Sequence, residues 1–158
     1  MTSDQEKYMR LAIATAQQGM EAGKGGPFGC VIVKDGQVIA AAHNEVTSSN
    51  DPTAHAEIVA IRAACHTLKD FQLTGCELYA SCEPCPMCLG AIYWARPSVV
   101  YYAADKADAA RAHFDDAFIY DEIDKAPSSR EIRFVRLPLA GAADVFDAWL
   151  EKRDRQHY

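Results

Sequence analysis

His55-Ala56-Glu57 and Pro84-Cys85-Pro86-Met87-Cys88 lie far apart in this chain, yet their chemistry asks them to meet. One imidazole and two thiolates make a three-ligand set for Zn²⁺ with the fourth position open. That opening separates a catalytic zinc site from a closed structural one. Any fold the chain adopts must then bring the two segments together, and helix-start signals at both show how. Cys85 and Cys88 are spaced to share one face of a helical turn, and Pro86 suits a first helical position. Both sulfurs would lie at a helix N-terminus, where partial positive charge favours thiolates. Asp51-Pro52 has the form of a cap followed by a first-turn proline. It opens a second helix running to about Leu68, with Ile58, Ile61, Ala64, Cys65 and Leu68 on one stripe and His55 in its first turn.

The charges are informative. Two thiolates balance Zn²⁺ and a neutral histidine adds nothing, so a bound water could lose a proton near neutral pH. Glu57 lies two residues past His55 and so points to a different helix face. That spacing disfavours it as a ligand and leaves it free to handle protons. A C-x-x-C pair has other readings. A redox pair leaves His55-Ala56-Glu57 unexplained. A structural Cys₄ site needs two further thiols; Cys82 is near, but Cys30, Cys65 and Cys76 are isolated and read as small core hydrophobes. Cys82 and Glu83 read as shaping the loop before the ligands.

The rest of the chain alternates helices and strands. Ser3-Asp4-Gln5-Glu6 has the form of a capping box, and apolar positions from Tyr8 to Met20 predict a helix over 4–20. Phe28 to Lys34 and Gln37 to Ala42 flank Asp35-Gly36, a strong two-residue hairpin signal. Val46 to Asp51 reads as loop. Glu77 to Ser81, Val99 to Ala103 and Ile132 to Leu137 read as strands. Pro86 to Ala95, Ala107 to Ala112 and Ala143 to Arg153 read as helices. Tyr93 and Trp94 are expected in the core, and His43 and His66 as ordinary polar residues. This alternation predicts an α/β sandwich around a mixed sheet.

A length of 158 residues suits one domain with its own core. The net charge of −6, from 22 acidic and 16 basic residues, disfavours a dedicated nucleic-acid binder and favours a small-molecule partner. No apolar run is long enough to span a bilayer. Met1 to Arg10 lacks the layout of a signal peptide, so a cytoplasmic location is expected and the six cysteines point to metal, not disulfides.

The pattern H-x-E…P-C-x-x-C resembles the signature of zinc-dependent nucleobase deaminases. With Gly25-Gly26-Pro27-Phe28-Gly29, Asn50 to Glu57 and Ser81 to Pro97, nearly the whole chain resembles the cytidine deaminase-like superfamily. Phe114 to Tyr120 and the terminal His157-Tyr158 resemble the bacterial guanine deaminases within it. The resemblance implies a three-layer α/β/α sandwich with a central five-stranded mixed sheet, formed by residues 1–158 as one zinc-binding deaminase domain. It implies one Zn²⁺ per subunit, held by His55, Cys85 and Cys88. Glu57 would be the general acid/base and Asp116 a second carboxylate near the leaving amine. Asn44 would hydrogen-bond the purine and Phe28 stack on it; Ala56 and Tyr158 would complete the substrate site. The implied assembly is a homodimer in which a tail of about 140–158 crosses to the partner. The implied reaction is hydrolysis of guanine to xanthine and ammonia. Guanosine, cytosine or another aminated heterocycle would use the same chemistry. A nucleic-acid-binding module with structural zinc is the alternative from a different class.

Overall fold

Gly29–Lys34 (β1) is an apolar run buried on both faces, as a central strand must be. It is joined to Gln37–His43 (β2) by Asp35-Gly36, whose φ values of 50° and 75° give the left-handed pair that a tight hairpin needs. In a computed structural model describing residues 1–158, Cys76–Cys82 (β3) pairs antiparallel with the other edge of β1. Val99–Ala104 (β4) runs parallel to β3. The sheet order is β2-β1-β3-β4. The parallel pair requires a crossover, and helix Pro86–Ala95 (α4) supplies it.

Successive residues of β1 face opposite layers. Val31 and Val33 meet Tyr8 and Ala12 of helix Ser3–Glu21 (α1), together with Tyr79 of β3. Cys30 and Ile32 meet Ala56, Ala60 and Ala64 of helix Ala56–Leu68 (α3), together with Ile92 and Ala95 of α4. The result is α1 on one face and α3 with α4 on the other, the expected three layers. A tyrosine stack closes the first face: Tyr79 lies 4.9 Å from Tyr101 and 5.4 Å from Tyr8 between ring centroids.

The chain forms two compact units, Met1–Asp116 and Ala117–Tyr158. The first also holds the short helices Val46–Ser49 (α2) and Lys106–Arg111 (α5). The second holds helices Ala117–Asp124 (α6) and Asp144–Glu151 (α7), with a 3₁₀ turn at Pro127–Ser129. No residue of α6 or α7 is buried. Within this unit Glu122 is the organising residue. It pairs with Lys125, accepts the Glu131 N–H at 2.8 Å, and offers its carbonyl to Arg130 at 3.0 Å. No helix is long and apolar enough to cross a membrane.

Several expectations are corrected. The sheet has four strands, not five, because residues 132–137 form no strand. Ile132, Phe134, Val135 and Leu137 are exposed; β-branched and aromatic residues favour extended backbone, but a strand also needs a ladder partner. The first capping box is built by Thr2 and Gln5, one residue earlier than expected. Val46–Ser49 is helical where a loop was expected. Asp51 does not open α3: its carboxylate accepts from Thr53, and the helix begins after His55. Tyr93 and Trp94 lie on the outer side of α4, 76% and 63% exposed, because Cys88, Ile92 and Ala95 form its inner stripe. Helix α6 was not anticipated.

Candidate metal centre and active site

His55 is the N-cap of α3 and Cys85 the N-cap of α4, with Pro86 in the first turn as its fixed φ favours. Both caps are extended, with φ near −67° and −66°, and neither side chain is spent on capping its own helix. The side chains are free to point across the gap. Cys85 Sγ lies 3.5 Å and Cys88 Sγ 3.6 Å from His55 Nδ1. The three donor atoms lie within 4.8 Å of one another. Zn–S and Zn–N bonds of about 2.3 and 2.0 Å at a tetrahedral angle would separate sulfur and nitrogen by about 3.5 Å. The donors present, their charges and their spacing therefore fit zinc.

The ligands share protons as a metal-ready set does. Hydrogen bonds from Cys88 and then His55 hold the Cys85 thiol down at about 4. The hydrogen bond to Cys85, followed by burial, pushes Cys88 up. His55 is raised by its hydrogen bond to Cys85. A divalent cation would displace the remaining thiol proton.

Glu57 stands in the first turn of α3, only 8% exposed. Burial raises its carboxyl, which suits a group that must both take and give a proton. It lines a cavity of about 630 Å³ together with His55, Cys85, Phe28, Asn44, Phe114 and Asp116. Asp116 is raised as well, by burial and then by the Cys85 charge. Asn44 is 5% exposed, and its Oδ1 accepts from the N–H groups of Gly26 and Val46, each at 3.1 Å. Phe28 meets Phe114 edge to face, with centroids 5.0 Å apart and planes at 87°. Ala56 is fully buried at the first position of α3, where a backbone N–H has no partner within the helix. Tyr158 ends the second unit and is exposed.

This geometry coincides with a known family. Residues 2–104 match the cytidine and deoxycytidylate deaminase zinc-binding region. The chain belongs to that family. Among its relatives, the guanine deaminase of Bacillus subtilis is 56% identical over 153 residues, spanning 97% of this chain and 98% of the relative. A tRNA-specific adenosine deaminase of Aquifex aeolicus is 34% identical over 148 residues, spanning 93% and 94%. The crystal structure of the Bacillus subtilis guanine deaminase superposes with a TM-score of 0.96 at 54% identity, covering 100% of this chain and 99% of that one.

Sequence reasoning gave no role to some residues lining the cavity of this deaminase. Phe114 carried part of the resemblance, yet only the fold shows its ring against Phe28. Lys106 also lines the cavity, at the start of α5. Its one sequence signal is the capping box of Asp105 and Asp108, which fixes where α5 begins. Cys82 and Glu83 shape the preceding loop as expected. The Cys82 thiol points at the Asp105 carbonyl and is raised to about 11 by burial, while the Glu83 N–H donates to the Ala104 carbonyl at 2.9 Å. His43 lies over Gly19 of α1.

Proposed function

We propose that this chain hydrolyses guanine to xanthine and ammonia. The observation that carries the reading is a zinc-ready triad whose His55 and Cys85 line one cavity with a buried carboxylate, Glu57, and a second carboxylate, Asp116. The near-full-length similarity to a guanine deaminase supports the choice of substrate. When bound at His55, Cys85 and Cys88, zinc supplies a Lewis acid that makes water a competent nucleophile near neutral pH. Glu57 takes the proton released as water adds to C2 of the ring and passes it to the adjacent ring nitrogen. A second proton, from Glu57 or Asp116, converts the C2 amine into ammonia, a leaving group far better than the amide ion. Asn44 donates to an acceptor atom of the purine, and Phe28 covers one face of the ring. The Ala56 N–H offers a second donor at the start of α3.

The active form is a homodimer of one deaminase domain per chain, 1–158. The tail from about residue 140 crosses to the partner and places Tyr158 over the partner's cavity. A second unit whose helices have no fully buried residue is a reason to expect such packing. The enzyme works in the cytoplasm.

An ammonia-release panel of guanine, guanosine, cytosine, adenine and a tRNA anticodon stem-loop tests the reading. Guanine alone should give rapid release. Release from guanosine and none from guanine would overturn the substrate. Sedimentation of the intact chain tests the dimer, and a purely monomeric enzyme with full activity would remove the swapped tail.

A further inference from the structure

We propose that Gly25 is a positioning residue whose lack of a side chain fixes which end of the Asn44 amide faces the substrate. The inference rests on the purine-deaminase reading. Gly25, Gly26 and Asn44 all line the catalytic cavity. A Cβ on Gly25 would stand 2.2 Å from Asn44 Oδ1, 2.6 Å from its carbonyl oxygen and 2.9 Å from its carbonyl carbon. Only Gly23, Gly36, Gly75 and Gly141 among the glycines adopt a left-handed φ, so backbone conformation does not explain glycine at 25. The requirement is space.

Neither side of that contact can give way. The Lys24 carbonyl, one residue before, accepts from Ser48 N and Thr47 Oγ1, each at 3.1 Å. The Gly26 N–H, one residue after, donates to Asn44 Oδ1 at 3.1 Å. On the other side, Asn44 N donates to the Phe28 carbonyl at 3.0 Å, and Glu45 N donates to the Ala54 carbonyl at 2.9 Å. Asn44 is thus held through its backbone and through Oδ1.

The polarity follows from donor and acceptor counting. An amide oxygen has two lone pairs, and here both meet backbone N–H groups, of Gly26 and Val46. Two N–H donors can face only the oxygen end of the amide. The end left for a ligand is the NH₂ group, so the site selects a carbonyl oxygen or an unprotonated ring nitrogen. A side chain at 25 would expel Oδ1 from its seat and destroy that selection.

The test is a double-mutant cycle on guanine turnover with two readouts. Gly25→Ala and Asn44→Ala should each raise KM about tenfold, the loss expected for one hydrogen bond to substrate, with kcat changed less. The double variant should match Asn44→Ala alone, because both substitutions remove the same interaction. Costs that multiply to about a hundredfold would overturn the proposal. Gly90→Ala, where an added Cβ meets nothing within 4 Å, is the control and should leave KM unchanged. The second readout needs no substrate. The ¹⁵N side-chain resonance of Asn44, identified by its loss in Asn44→Ala, should move in Gly25→Ala and stay in Gly90→Ala. An unmoved resonance in a folded, zinc-loaded Gly25→Ala would also overturn it. If the wild type released no ammonia from guanine, the substrate reading would fail while the resonance still decided the role of Gly25.

Discussion

His55 and Cys85 occupy the same position of two different helices, the N-cap, and their Nδ1 and Sγ atoms stand 3.5 Å apart. A helix N-terminus carries partial positive charge, so each cap favours an electron-rich donor before any ion arrives.

The free thiols should therefore differ sharply in reactivity. In zinc-free protein at neutral pH, iodoacetamide should label Cys85 first, since it is a thiolate with its pKa held at about 4. Cys30 is fully buried and raised, and should stay unlabelled in the folded state. Zinc should protect Cys85. Peptide mapping by mass spectrometry reads this, and equal labelling with and without zinc would remove Cys85 from the ligand set.

Glu57→Gln should retain zinc while turnover falls by about 10²- to 10⁴-fold. The same substitution should stabilise the zinc-free protein. Burial raises the Glu57 carboxyl, so its favourable contribution is fully present below the unfolded value of about 4.3 and is lost as pH rises through the folded value. Thermal melts should show the variant above the wild type at neutral pH, with the gap closing as pH falls through the folded value and absent below about 4.3. A variant melting below the wild type at pH 7 would contradict the burial argument.

Asp51 works in the opposite direction. Hydrogen bonds from Thr53 hold its carboxyl below the usual carboxylate range. Its contribution is present above the unfolded value of about 3.9 and is lost as pH falls through the folded one. Asp51→Ala should lower the melting temperature at pH 7, with the difference shrinking as acid is added. Because this turn leads into His55, zinc affinity should fall too, which a competition titration with a chelating dye would show.

Ile32→Ala should be among the most damaging core changes outside the site. Ile32 is fully buried, between Ala40 and Leu78 across the sheet and against the α3–α4 layer. A loss of about 2–5 kcal/mol is expected in urea unfolding, with zinc content of the surviving folded protein unchanged.

Much of this was legible in the sequence, for local reasons. Asp35-Gly36 between apolar runs admits little but a hairpin, and Pro86 between Cys85 and Cys88 places α4 at the residues observed. Legibility failed where two local rules compete. Thr2…Gln5 and Ser3…Glu6 both have the spacing of a capping box, and only the backbone chooses between them. Asp51-Pro52 looks like a helix start, yet the carboxylate finds Thr53 sooner. Residues 132–137 carry the β-branched and aromatic residues of a strand, but a ladder partner cannot be read from one segment. The closeness of Phe114 to Phe28, and of Gly25 to Asn44, is a tertiary fact that no spacing encodes.

The two capped helices have a mechanical consequence. His55 and Cys85 are 30 residues apart, and an ion between them closes that stretch, which contains all of α3 and β3, into a ring. A cross-link over a loop of this length removes unfolded-state entropy worth about 3–4 kcal/mol. The ion would thus act as a clasp as well as a reagent. A chain stripped of it loses its chemistry and much of its margin against unfolding in a single event, so the population of folded molecules should track the supply of metal.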